Sequence, residues 1–162
     1  MGAAPVNPDR AWTLKQVQGD EQGKTMPTGY SGTPLAKKLG LKPGQRAWFA
    51  DMPDSVRAEI DPAAIGLILL AEPEASVDVA HVFVTARADL ERHVATLRAR
   101  LAPDGMLWVS WPKKASKVPT DITEDTIRAV ALPVGLVDVK VCAVDEIWSG
   151  LKLVVRKALR TA

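Results

Sequence analysis

Val77-Asp78-Val79-Ala80-His81-Val82-Phe83-Val84 and Met106-Leu107-Trp108-Val109-Ser110-Trp111 are apolar at odd and even positions alike. Such runs belong to strands covered on both faces. Between them, residues 86–101 carry Leu90, Val94, Leu97 and Leu101 at helical spacing, with Arg87, Asp89, Glu91, Arg92, Arg98 and Arg100 among the other positions. That pattern predicts an amphipathic helix with one buried stripe. Pro103-Asp104-Gly105 reads as the turn into the second strand. Strand, helix and strand therefore form a βαβ unit, whose strands pair in parallel through a right-handed crossover. This unit places the chain among the α/β folds.

Working outward, Thr123 caps a predicted helix with Glu124 and Asp125 in its first turn and Ile127, Val130, Ala131 and Val134 as its apolar side. This helix is expected to close the other sheet face. Val137, Val139, Val141 and Ala143 then alternate with Asp138, Lys140, Cys142 and Val144, as in a strand near a sheet edge. Ser149-Gly150 reads as a turn leading to a last strand over residues 151–157, which gives a C-terminal antiparallel hairpin. Upstream, Arg46–Ala50 reads as a first strand and residues 65–70 as a second, with a helical turn or two over residues 53–60. A short helix is expected over residues 34–39, capped by Thr33, opened by Pro34 and stopped by Gly40. The architecture is thus a three-layer, Rossmann-like, mostly parallel sheet ending in an antiparallel hairpin. One α/β domain is expected over residues 29–162. Residues 1–28 are polar and aperiodic and read as a flexible arm, with Trp12 its one large apolar group.

At 162 residues with 47% apolar and 25% charged side chains, the chain has the composition of a globular domain. A net charge of +2 lacks the basic excess of a dedicated nucleic-acid binder. The single Cys142 permits no intrachain disulfide and, lying in an apolar stretch, reads as a buried structural thiol. No apolar run is long enough to span a membrane, and Met1 to Arg10 carries no apolar leader segment. A cytoplasmic location without membrane attachment is the expectation.

Candidate chemistry gathers at Trp111-Pro112-Lys113-Lys114-Ala115-Ser116-Lys117, where a strand delivers an indole and three lysines into a loop. Ligands of parallel α/β sheets bind outside the carboxyl ends of strands, where this loop sits. Trp111, Lys113, Lys114, Ser116 and Lys117 suit a small anionic or planar ligand, or a protein partner. Asp121, Glu124 and Asp125 offer the competing reading, a salt-bridge network with the lysines. Asp145 and Trp148 of the terminal hairpin are expected to approach the same edge. His81 reads as a satisfied core residue and His93 as a surface one. Two separated histidines and one cysteine make neither a catalytic triad nor a zinc motif. No catalytic residue and no cofactor is legible, and homo-oligomerisation stays open.

Leu41-Lys42-Pro43-Gly44-Gln45-Arg46 and Leu101-Ala102-Pro103-Asp104-Gly105-Met106-Leu107 resemble the entries to the first and fifth strands of class I methyltransferases. That resemblance implies a Gly-x-Gly loop after the first strand, under the methionine moiety of S-adenosylmethionine. The chain has Asp51-Met52-Pro53-Asp54 there, which denies the cofactor a close backbone approach. Four further phrases, Tyr30 to Gly40, Trp111 to Ser116, Thr120 to Asp125 and Val144 to Lys152, resemble the bacterial family known as domain of unknown function 3052. This resemblance carries no reaction with it. The expectation is a binding or regulatory domain on a methyltransferase-like scaffold without the usual cofactor loop. The alternatives are a transferase dependent on S-adenosylmethionine or a nucleotide and using a nonstandard loop, and weak RNA binding through Lys113–Lys117.

Overall fold

A computed structural model describes residues 34–160; the arm expected over residues 1–28 and the Thr33 cap lie outside them. The expected βαβ unit is present as β3 (Val77–Phe83), α4 (Arg87–Arg98) and β4 (Leu101–Pro112). Before it come α1 (Leu35–Lys38), β1 (Arg46–Ala50), α2 (Asp54–Ile60), α3 (Pro62–Ile65) and β2 (Ile68–Leu69). After it come α5 (Glu124–Ala131), β5 (Leu136–Ala143) and β6 (Trp148–Val155). The six strands form one sheet in the order β2-β1-β3-β4-β6-β5. β2, β1, β3 and β4 run parallel, while β6 is antiparallel to both β4 and β5.

One sheet face packs Val82, Leu107, Val109 and Leu151 against Leu90, Val94 and Leu97 of α4 and Ile127 and Ala131 of α5. The other packs Ala47, Val79 and Trp108 against Leu35, Leu39, Val56 and Ile60 of the N-terminal helices. These are the three layers. α5 was expected on the face opposite α4, but it lies beside it, because Ile127, Ala131 and Leu136 complete the same cluster. Ile122 precedes the cap and Ile127 stands at the fourth helical position, both in that cluster, which is the arrangement of a hydrophobic staple. Thr123 caps α5 as expected, its hydroxyl accepting from the Thr126 amide while the Thr126 hydroxyl accepts from the Thr123 amide. Thr123→Ala is expected to cost about 1 kcal/mol of stability in urea denaturation.

Several boundaries move. Leu101 leaves the α4 stripe and opens β4, and residues 103–105 form no separate turn. They lie within an irregular stretch of β4, where Val77 pairs with Leu101 but Val79 with Met106. Gly105 permits this, since a Cβ there would stand 2.8 Å from the Val77 carbonyl oxygen and 3.1 Å from that of Ala102. Gly105→Ala is accordingly expected to lose about 2 kcal/mol, measured by chemical denaturation, from overpacking against rigid backbone. Residues 65–70 yield only a two-residue edge strand, because Pro62 opens α3 and Gly66, at φ +91°, ends it. Pro34 stands at the cap of α1 rather than inside the helix, while Gly40 stops it at φ +71° as expected. Val134 is exposed in a 3₁₀ turn after α5 instead of contributing to its apolar side. Ser149-Gly150 is strand, and the hairpin turns over residues 144–147. Gly150 serves close packing there: a Cβ would lie 3.2 Å from both the Trp108 ring and the Val144 side chain.

Candidate functional site

The parallel order changes direction between β1 and β3, since the chain leaves β1 toward β2 on one side and β3 toward β4 on the other. Open α/β sheets hold ligands in the crevice at such a point. Here β1 is followed by Asp51, whose φ of +56° puts a side chain where glycine is favoured. Pro53, which has no amide hydrogen, then forms the cap of α2. Over β3 the crevice edge is occupied by the chain itself. The Thr85 carbonyl accepts from the Thr120 hydroxyl at 2.6 Å and from the Asp121 amide at 3.3 Å. Asp121 Oδ1 also accepts from the Arg87 amide at 2.8 Å, satisfying a free donor at the start of α4. The loop after β4 is thereby stitched back over the end of β3.

A cavity of about 400 Å³ opens one strand away from the crevice, beneath this loop. Trp111, Pro112 and Ile122 give it apolar walls; Lys114, Thr120, Thr123 and Glu124 give it polar ones. The expected site residues divide accordingly. Trp111 and Lys114 meet at the cavity. Ser116 is engaged in its own turn, donating to the Lys113 carbonyl at 2.6 Å and accepting from the Val118 amide at 3.3 Å. Lys117 ends that turn in the left-handed region at φ +62°. Lys113 bonds through its amide to the Ile147 carbonyl at 2.7 Å, so the terminal hairpin does reach this edge. Its side chains serve other ends: Asp145 Oδ1 accepts from the Ile147 and Trp148 amides, both at 2.8 Å, and closes the turn. Trp148 packs edge-on to Phe83 at 5.0 Å, on the sheet face opposite Trp111.

The alternative, a salt-bridge network between the lysines and the acids, does not form among the described residues. Arg128 takes the acids instead, binding Glu124, Asp125 at 3.0 Å and Asp138 at 2.9 Å. The Arg128 hydrogen bond holds the Asp138 carboxyl below its ordinary range. Lys113, Lys114 and Lys117 form no ion pair among the described residues. Glu124 thus reaches the cavity sharing one guanidinium with Asp125 and Asp138.

The remaining candidates behave as follows. His81 is fully buried with Nε2 2.6 Å from Ser110 Oγ, and burial pushes its pKa down to about 3. It is the satisfied core histidine expected. His93 was expected at the surface but is only 8% exposed, because the α4 stripe is wider than its leucines and Trp48 of β1 reaches across to it at 5.8 Å. Burial and then Arg92 lower its pKa against the opposing pull of Asp51 and Asp89. Cys142 is half-buried rather than buried, and desolvation raises its thiol pKa. The described residues contain no cluster of metal-binding side chains and no helix long and apolar enough to cross a membrane. Thr120 and Ile122 escaped the sequence reading of the site. Their one signal is an isolated isoleucine just before a helix cap.

Sheet order and layers define a Rossmann-like fold of the methyltransferase type. It is similar to a structure of an S-adenosylmethionine-dependent methyltransferase from Aquifex aeolicus, with a TM-score of 0.53 and 14% identity over 75% of this chain and 88% of that one. A putative type 11 methyltransferase from Sulfolobus solfataricus matches with a TM-score of 0.50 and 15% identity, over 76% and 90%. At such identities the likeness is one of fold. Residues 36–157 match the family described as protein of unknown function (DUF3052), and the chain belongs to that family. An uncharacterized protein of Mycobacterium tuberculosis is 27% identical over 146 residues, covering 85% of this chain and 89% of that protein.

Proposed function

We propose that this chain is a non-catalytic ligand-binding or regulatory domain of the cytoplasm, with its ligand held in the cavity under the Trp111–Lys117 loop. The observation that carries the reading is the displacement of the cavity from the crevice between β1 and β3. At the crevice, Asp51-Met52-Pro53 replaces a glycine loop, and Thr120 and Asp121 bond down over Thr85. One strand away, apolar walls and a polar rim that carries Lys114 and Glu124 form a concave space of the size small molecules occupy. The single lysine there suits charge recognition.

A small-molecule panel read by thermal shift tests this, with Glu124→Trp as the cavity-filling control because Glu124 is only half-buried and its loss leaves the core intact. Ligands are expected to raise the melting temperature of the native chain and not that of Glu124→Trp, whose own fold is checked by circular dichroism. Calorimetric titration with S-adenosylmethionine is expected to show no saturable heat. Saturable binding of that cofactor, unaffected by Glu124→Trp, would place the working site at the crevice and refute the proposal.

A further inference from the structure

We infer that residues 113–121 form a strap that opens and closes as one body, shutting the cavity and the end of β3 in the same movement. Its interior bonds are its own. The Ser116 amide donates to the Lys113 carbonyl at 3.0 Å and the Lys117 amide to the Lys114 carbonyl at 3.2 Å. The Ser116 hydroxyl adds its bonds to the Lys113 carbonyl and the Val118 amide. A segment bonded to itself in this way keeps its shape when it moves. It has no root in the core, because no side chain from Lys113 to Asp121 is buried. The fixed points lie at its two ends. Pro112 is buried and the Lys113 amide is held by the Ile147 carbonyl, while at the other end the Ile122 side chain is 2% exposed within the core.

Between those ends the strap is fastened, among the described residues, at one place, the junction of β3 and α4. The Thr120 hydroxyl and the Asp121 amide both donate to the Thr85 carbonyl, and Asp121 Oδ1 accepts from the Arg87 amide. All four residues are exposed, so water competes for each group and release requires far less than unfolding of the core. Thr120 links the two sides of the strap. Its hydroxyl is fixed at the end of β3, and with Lys114 it forms part of the cavity wall. Detachment from Thr85 therefore uncovers the end of β3 and opens the cavity together. α4 favours closure, since Ala86 at its cap makes no side-chain bond and the Arg87 amide relies on Asp121. On the ligand-binding reading above, a molecule seated under the strap holds it shut, because the contacts with Thr120 and Lys114 exist only in the closed state.

Residue-resolved amide hydrogen exchange on the full chain tests the inference without any ligand. In the native chain the Arg87, Asp121 and Ile122 amides are expected to share one level of protection, about a hundredfold below that of Val94 and Leu97 inside α4. Protection equal to that of Val94 and Leu97 would show that the loop opens only with the whole domain, and overturns the inference. Two variants then test the coupling. Asp121→Ala removes the acceptor of the Arg87 amide, and Thr120→Val removes the acceptor of the Ile122 amide, at 3.1 Å, together with one bond to Thr85. In a strap each variant also releases the amide it does not touch. Ile122 in Asp121→Ala and Arg87 in Thr120→Val should exchange about tenfold faster, the factor by which loss of one hydrogen bond shifts an opening equilibrium. Acceleration confined to the amide whose acceptor is removed would make the bonds independent and overturn the inference. Either failure leaves ligand binding in the cavity standing, since the thermal-shift panel reads that separately.

Discussion

Trp108→Ala is expected to destabilise the domain by about 4 kcal/mol, the range measured when large buried aromatics are truncated. The indole is completely buried at the centre of β4, between β3 and β6, and it packs toward Gly150 on one side and His81 on the other. Its Nε1 donates to the Leu39 carbonyl at 3.0 Å, which ties the end of α1 to the middle of the sheet. Two effects are therefore lost together. Trp108→Phe separates them, since it keeps most of the apolar volume and orphans the carbonyl, for an expected loss of about 2 kcal/mol. Urea denaturation gives both values, and hydrogen exchange should show faster opening around residues 35–41 in the phenylalanine variant. Equal protection of that segment in the native chain and in Trp108→Phe would show that α1 is held by Leu35 and Leu39 packing alone.

The part of the fold that was legible is the part governed by periodicity. β3, α4 and β4 announce themselves because two-sided burial writes continuous apolar strands and one-sided burial writes a helical stripe. Failures cluster where one residue type has two uses. Gly105 and Gly150 look like turn glycines, yet each lies in a strand at a point of close approach, a requirement set in part by Val77 and Trp108, far away in sequence. His93 looks polar enough for solvent, but Trp48 covers it from another element. Ion-pair partners were likewise out of reach. Glu124 and Asp125 meet Arg128 by helical spacing, whereas the Asp138 contact depends on how α5 docks beside β5, and the lysines form no ion pair among the described residues. Of the candidate site, Trp111 and Lys114 were readable from a strand that runs into a basic loop. The cavity wall made by Thr120 and Ile122 depends on how the loop folds back onto Thr85, which no local pattern encodes.

Acid should destabilise this domain well before its surface carboxylates titrate. His81 is neutral in the fold, with a pKa of about 3 set by complete burial, against about 6.5 for an exposed histidine. Its folded pKa lies below its unfolded one, so the unfolded chain binds the extra proton first. Stability is then full above pH 6.5 and falls as pH drops through the window between the two values, at about 1.4 kcal/mol per pH unit. Between pH 6.5 and 5 the expected loss is about 2 kcal/mol, a sizeable fraction of the 5–15 kcal/mol that holds a typical domain together. His93 adds a smaller contribution of the same sign, its pKa being lowered by burial and by Arg92. The Ser110 hydroxyl, 2.6 Å from Nε2, needs a partner if the imidazole is removed. The informative variant is therefore the double replacement His81→Leu with Ser110→Ala, which removes both polar groups and leaves an apolar site of similar size. Urea denaturation of the native chain at pH 7, 6 and 5 should show the slope, and the double variant should retain only the shallow part owed to His93. An identical slope in both proteins would assign the acid sensitivity to other groups, and a flat profile in the native chain would mean that the buried imidazole finds a way to hold its proton.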